Sequence, residues 1–176
     1  ISITREKERG TMELLLVSPL RPSAVVLGKG APYVVLGMAN MVTVLLAARV
    51  VFGVPMRGHP LLLLGASLLY VVSSLGLGIL ISTTAETERT AIMAALAGLL
   101  LPTLMLSGFI FPLDAMPRPL WLVSHLIPAR WFLTIVRGVM IKGAGLADLW
   151  REVAILAAMS VALLGSGIRR LAIRLP

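Results

Sequence analysis

Residues 60–85, PLLLLGASLLYVVSSLGLGILISTTA, contain no charged side chain. A helix needs about 20 mainly apolar residues to cross about 30 Å of hydrocarbon, and this run exceeds that. Three other stretches read the same way. Residues 30–48 are uncharged, and their apolar character continues past Arg49 to Phe52. Residues 90–113 are uncharged, and the run 153–168 reaches full length by borrowing Leu149 and Trp150. The sequence therefore predicts an all-α integral membrane protein with four transmembrane helices, at about 30–53, 60–83, 90–111 and 150–168.

Composition agrees. Of 176 residues, 58% are hydrophobic and only 14% charged, with a mean hydropathy of +0.97. A soluble domain carries about 25% charged residues, and a disordered segment is far less apolar. The chain has no cysteine, which excludes a disulfide framework and a thiolate metal site. The net charge of +8 lies in the segments between the apolar runs. That placement fits lipid headgroups and membrane orientation, so membrane lipid is an expected partner and nucleic acid is not.

Between the third and last runs, Pro112, Pro117, Pro119 and Pro128 cut the chain into short pieces, because proline removes a backbone donor and clashes within a helix. The apolar stretch 119–129, PLWLVSHLIPA, is too short to cross and reads as an interfacial or re-entrant segment. Four crossings put both ends of the chain on one side. If that side is cytoplasmic, Arg5, Lys7, Arg9, Arg21, Lys29, Arg89, Arg169, Arg170 and Arg174 lie inside. Arg57, Arg118, Arg130, Arg137, Lys142 and Arg151 then lie outside, a modest positive-inside bias. Phe52, Phe109, Phe111, Trp121, Trp131, Phe132 and Trp150 gather at the opposite face, as interfacial rings do.

Small residues suggest packing faces. Ala154, Ala158, Ala162 and Ser166 recur every four residues in the last run, as do Ser74 and Gly78 in the second. Such spacing lets helix backbones approach closely in lipid, although alanine and glycine are also simply common in membrane helices. Pro102, one turn after Gly98, predicts a bend in the third run. Apart from Arg49, no ionisable side chain lies within the runs. Ion-coupled carriers and cation channels normally keep such groups at membrane depth. No phosphate-binding loop, HExxH, nucleophile elbow or metal-ligand cluster is present, so neither catalytic nor metal-binding residues are expected.

The amino-terminal stretch 4–23, TREKERGTMELLLVSPLRPS, alternates Arg5, Glu6, Lys7, Glu8 and Arg9, pairing at i,i+3 on a helix. Gly10 and Thr11 interrupt it before an apolar piece with Leu14, Leu15 and Leu16. This reads either as a short helix lying on the membrane face and ready to press on a soluble partner, or as a solvated juxtamembrane charge cluster.

The run REKERGTMELLLVSPL, followed by Gly28-Lys29 and Pro32-Tyr33, resembles the loop after the second helix of type-2 ATP-binding-cassette (ABC) exporter permeases. Residues 102–117, PTLMLSGFIFPLDAMP, resemble the end of the fifth family helix and the start of an external hairpin. Residues 128–143, PARWFLTIVRGVMIKG, resemble the approach to the sixth. The resemblance implies the third to sixth helices of a six-helix permease half, with the first two helices not in this chain. It also implies a division into a cytoplasmic coupling segment, 1–23, and a transmembrane domain, 24–176, with an external re-entrant hairpin at about 112–148. Arg5, Glu6, Lys7, Glu8, Arg9, Gly10, Thr11 and Glu13 would face the ATPase through a coupling helix. Pro112, Met116, Pro117 and Pro128 would shape the hairpin. The loop Thr84-Ala85-Glu86-Thr87-Glu88-Arg89 is more acidic than the family's usual version.

The implied function is export of an amphipathic or hydrophobic compound across a bacterial inner membrane. The implied partners are a separate ABC ATPase subunit, which would hold ATP and Mg, and a second permease half, identical or paralogous. An ATP-independent channel or carrier, and a non-transporting membrane scaffold, are the alternatives from other classes.

Overall fold

The computed structural model describes residues 22–173, and every regular element among them is helical. Helix α1 spans Pro22–Val50 and α2 spans Pro60–Thr84. Helix α3, Glu88–Ala95, runs through a π-helical turn, Leu96–Leu100, into α4, Leu101–Leu106. A 3₁₀ turn at Leu113–Ala115 precedes α5, Arg118–Ser124, and α6, Pro128–Arg137. A second π-helical turn, Gly138–Lys142, leads towards α7, Leu146–Ile173.

Four segments are long and apolar enough to cross a membrane: Gly30–Val50, Pro60–Thr84, Glu88–Leu106 and Leu146–Arg170. The chain is a multi-pass membrane protein. Glycines at positive φ set two of the boundaries. The first span stops at Val50 rather than 53, where Gly53 adopts φ +62°, and the third stops at Leu106 rather than 111, ahead of Gly108 at φ +84°. Left-handed backbone is open to glycine without steric penalty, so a helix can end there abruptly. The last helix is longer than the uncharged run, because Asp148, Arg151 and Glu152 all lie within it.

Where the sequence predicts a bend at Pro102, the helix carries the π-helical turn Leu96–Leu100 just before the proline. Proline has no N–H to give the carbonyl one turn earlier. In the wider turn the Leu101 N–H reaches back to the Leu96 carbonyl. Where the third span begins, Thr87 caps α3 by accepting the Thr90 N–H at 3.1 Å. Thr83 and Thr84 return their hydroxyls to carbonyls of α2.

Helix α2 packs chiefly on α7, and both pack on α6. The shared core comprises Leu63 and Ala66 of α2, Phe132 and Ile135 of α6, Val139 and Met140 of the second π-helical turn, and Leu149 and Leu156 of α7. On α7 the inward positions Leu149, Val153, Leu156, Ser160, Leu163 and Gly167 alternate steps of four and three, the seam of a left-handed helix pair. In lipid, burying leucine gains little over leaving it among acyl chains, so close contact must hold the pair together. Gly76 and Gly167 supply it. A methyl group on Gly76 would lie 2.8 Å from the Leu163 carbonyl carbon, and one on Gly167 would lie 3.1 Å from Ile79.

The loop between α1 and α2 is fastened to the second π-helical turn. Gly58 N–H donates to the Val139 carbonyl at 2.9 Å, and Arg57 N–H donates to that of Met140 at 3.3 Å.

Candidate functional site

Two clefts flank α2 and share Tyr70 and Ser74 as a common wall. The first, about 220 Å³, lies between α2, the broken third span and the start of α6, and is lined by Leu77, Leu99, Leu100, Thr103, Pro128 and Ala129 among others. The second, about 390 Å³, lies between α1 and α2 and includes Tyr33, Gly37, Asn40, Val44 and Val71. Both are mainly apolar, with a few hydroxyls and one amide as polar handles. That mixture suits a ligand with a greasy body and a small polar part. Tyr70 is held in place by stacking on Phe132 of α6, with ring centroids 4.6 Å apart and planes within 8°.

The first cleft ends at an elbow. Helix α5 and the continuous helical segment Pro128–Lys142 meet at a bend of 86°. Arg130, in the first turn of α6, is 8% exposed and ties the two arms together. Its Nη1 donates to the Trp121 carbonyl at 3.1 Å and to Ser124 Oγ, and lies 3.0 Å from His125 Nδ1. The guanidinium also lies 5.3 Å from the Trp121 ring and 5.5 Å from that of Trp131. Trp131 Nε1 donates across the elbow to the His125 carbonyl at 3.1 Å. At the other end of α6, Arg137 Nη2 donates to the Gly108 carbonyl at 2.8 Å, linking the hairpin to the end of the third span.

The hairpin prolines sit at element boundaries. Pro112 and Met116 bracket the 3₁₀ turn, Pro117 precedes α5, and Pro128 begins α6. The small residues occupy other ground than the packing seam. Ser74, Gly78, Ala154, Ala158 and Ala162 are all exposed, and a methyl group on Gly78 would meet nothing within 4 Å. The α2–α7 contact runs through Gly76 and Gly167 instead, while Ser73 and Ser160 are buried with their hydroxyls bonded within their own helices. The residues expected to face an ATPase, Arg5, Glu6, Lys7, Glu8, Arg9, Gly10, Thr11 and Glu13, lie outside the described residues.

Two features go beyond the residues singled out in the sequence. Arg130 was grouped with the outer charges, whereas it is a buried cation. Glu152 has a buried carboxylate oxygen, Oε2, with no hydrogen-bond partner among the described residues. No group of three or more His, Cys, Asp or Glu that could hold a metal occurs among the described residues.

Comparison with known proteins agrees with this architecture. The chain is 41% identical over 141 residues to the probable multidrug ABC transporter permease YbhS of Escherichia coli K12, covering 80% of this chain and 37% of the relative. It is 30% identical over 152 residues to the probable multidrug ABC transporter permease YbhR of the same strain, covering 86% and 41% respectively. ABC transporter G family member 20 of Dictyostelium discoideum is 34% identical over 150 residues, with 83% of this chain and 20% of the relative covered. The chain thus spans well under half the length of these relatives. No solved structure matches it. Residues 1–141 match the family described as ABC-2 type transporter, and with that match running from the charged amino-terminal stretch through the broken third span and the elbow, the chain belongs to the ABC-2 type transporter family.

Proposed function

We propose that this chain is part of the membrane-spanning permease of an ABC exporter, which moves an amphipathic or hydrophobic compound outward across a bacterial inner membrane. ATP and Mg are bound and hydrolysed by a separate ATPase subunit, and a second permease half, identical or paralogous, completes the pathway. Both ends of this segment face the cytoplasm, and the hairpin at about 112–148 roofs the pathway outside. The observation that carries this reading is the pair of mainly apolar clefts sharing Tyr70 and Ser74 in a chain of the ABC-2 family. The names of the E. coli relatives, probable multidrug permeases, support the export of greasy compounds.

The mechanism is mechanical. ATP-driven closure of the two ATPase subunits pulls on a coupling segment at residues 1–23, a rigid-body motion biased by nucleotide. The charged residues Arg5 to Arg9, with Gly10, Thr11 and Glu13, form that contact. The motion reaches α1 and α2, reshapes the clefts between them and the third span, and releases substrate past the elbow.

The test is charge reversal at Glu8 and Arg9 in the full-length protein, purified from its membrane in mild detergent. The wild type should bring down a soluble ATPase with vanadate-sensitive hydrolysis, and the doubly reversed variant should lose it. Failure of the wild type to retain any ATPase, under conditions that preserve a known permease–ATPase pair, overturns the proposal.

A further inference from the structure

A guanidinium as buried as that of Arg130 is ordinarily neutralised by a carboxylate. Here the contacts among the described residues are to a carbonyl, a hydroxyl, an imidazole and two indoles, and none is to a carboxylate. All three hydrogen bonds pass through Nη1. Arginine has further donors on Nε and Nη2, and these make no hydrogen bond to the described residues. Neither nitrogen is sealed from its surroundings, since Glu152 Oε2 alone is both buried and unpartnered among the described side chains. The cation therefore has support on one side and open donors on another.

Its position supplies the second half of the argument. Pro128 and Ala129, which line the first cleft, immediately precede Arg130 in the opening turn of α6. The cleft walls are Leu77, Leu99 and Leu100, with Tyr70, Ser74 and Thr103 adding hydroxyls. A greasy groove thus runs up to Ala129, one residue before a fixed cation that has no carboxylate partner among the described residues. Helix N-termini favour anions, and planar guanidinium donors match carboxylate and phosphate oxygens.

We propose that the elbow binds the anionic head of an amphiphile, carboxylate or phosphate, through Arg130, while the apolar tail lies in the cleft beside Tyr70, Ser74 and Thr103. This rests on the export reading and narrows it to a substrate class. The same chemistry would hold the phosphate of a resident lipid.

The test uses the full-length protein with its ATPase in nanodiscs of phosphatidylcholine. The probes share one pyrene-labelled alkyl tail and carry a carboxylate, phosphate, hydroxyl or trimethylammonium head. Pyrene anisotropy should show the two anions binding about tenfold or more tighter than the alcohol, and the ammonium most weakly. Arg130→Gln should erase that preference and Arg130→Lys should keep part of it. Should Arg130→Gln fail to fold, Arg130→Lys still carries the test, because it keeps the charge and loses the fork. Ser74→Leu, which narrows the cleft without touching the cation, should weaken all the probes alike. Binding of the wild type that ignores the head group, or a preference that survives loss of the guanidinium, overturns the proposal.

Proteoliposomes then separate the two sources. ATP-dependent movement of the anionic probes alone identifies cargo, whereas head-selective binding without movement identifies a lipid site and refutes the export reading instead. Movement of every probe regardless of head charge supports export and overturns the anion site.

Discussion

Gly76 of α2 lies directly against the backbone of α7 at Leu163, where an added methyl group would come within 2.8 Å of the Leu163 carbonyl carbon. Backbone cannot yield as a side-chain tip can, so the helices would have to separate. Gly76→Ala should destabilise the folded protein by about 1–3 kcal/mol, read from the midpoint of unfolding in detergent. Gly78→Ala, with open space around it, should stay within about 0.5 kcal/mol of wild type.

The same pair of glycines separates what the sequence displays from what it hides. Uncharged runs announce the spans, because charge at membrane depth is expensive and its absence is visible in any alignment-free reading. Which face of a helix is used is a subtler matter. A four-residue repeat of small side chains marks out Ser74 and Gly78, yet the seam follows steps of four and three and passes through Gly76 and Gly167, with Ser73 and Ser160 also buried. Those residues are interleaved with leucines and carry no pattern of small side chains alone. Arg130 was hidden for another reason: its burial comes from Trp121, nine positions earlier and brought over it by the elbow.

Ala154, Ala158 and Ala162 leave one face of α7 exposed among the described residues. If the second permease half packs there, Ala158→Trp should leave the thermal midpoint of the isolated protein nearly unchanged and reduce self-association or association with a paralogue. Crosslinking in native membranes measures it, and undiminished crosslinking would place the partner elsewhere.

Arg137 holds the end of the third span through the Gly108 carbonyl, a charged donor on a neutral acceptor at 2.8 Å. Arg137→Ala should cost about 1.5–3 kcal/mol, the usual range for hydrogen bonds to charged groups. Gly108→Ala attacks the same junction through its φ of +84° and the nearby Leu113 side chain, and should lower stability in the same direction. Thermal unfolding of both variants checks whether the junction behaves as one unit, in which case the double variant falls short of the sum.

Glu152 should respond in the opposite sense. A buried carboxylate oxygen with no partner destabilises the fold, so Glu152→Met, which keeps the volume and removes the charge, should raise the unfolding midpoint. A gain of about 1 kcal/mol or more is expected. If the midpoint falls instead, the carboxylate has a stabilising partner in the full-length protein.

Tyr70 joins both clefts to α6 through its stack on Phe132. Tyr70→Phe preserves the ring and removes only the hydroxyl, so stability should hold while the preference among polar-headed substrates shifts. Tyr70→Ala should also forfeit the stacking, worth about 0.5–1.5 kcal/mol beyond the lost area. A substrate-stimulated ATPase titration of the two variants separates the hydroxyl from the ring.

The π-helical turn at Leu96–Leu100 sets how the two halves of the third span are rotated about their common axis. Such a turn amounts to one surplus residue in an otherwise α-helical count, and one residue is about 100° of rotation. Positions before and after it therefore belong to two helical wheels offset by that rotation, and the offset brings Ala95 from one side of the turn and Thr103 from the other onto the same cleft. Deleting one residue from the turn would rotate Ala95 and Thr103 apart by about 100°, so both halves of the span line that cleft only while the surplus residue is kept.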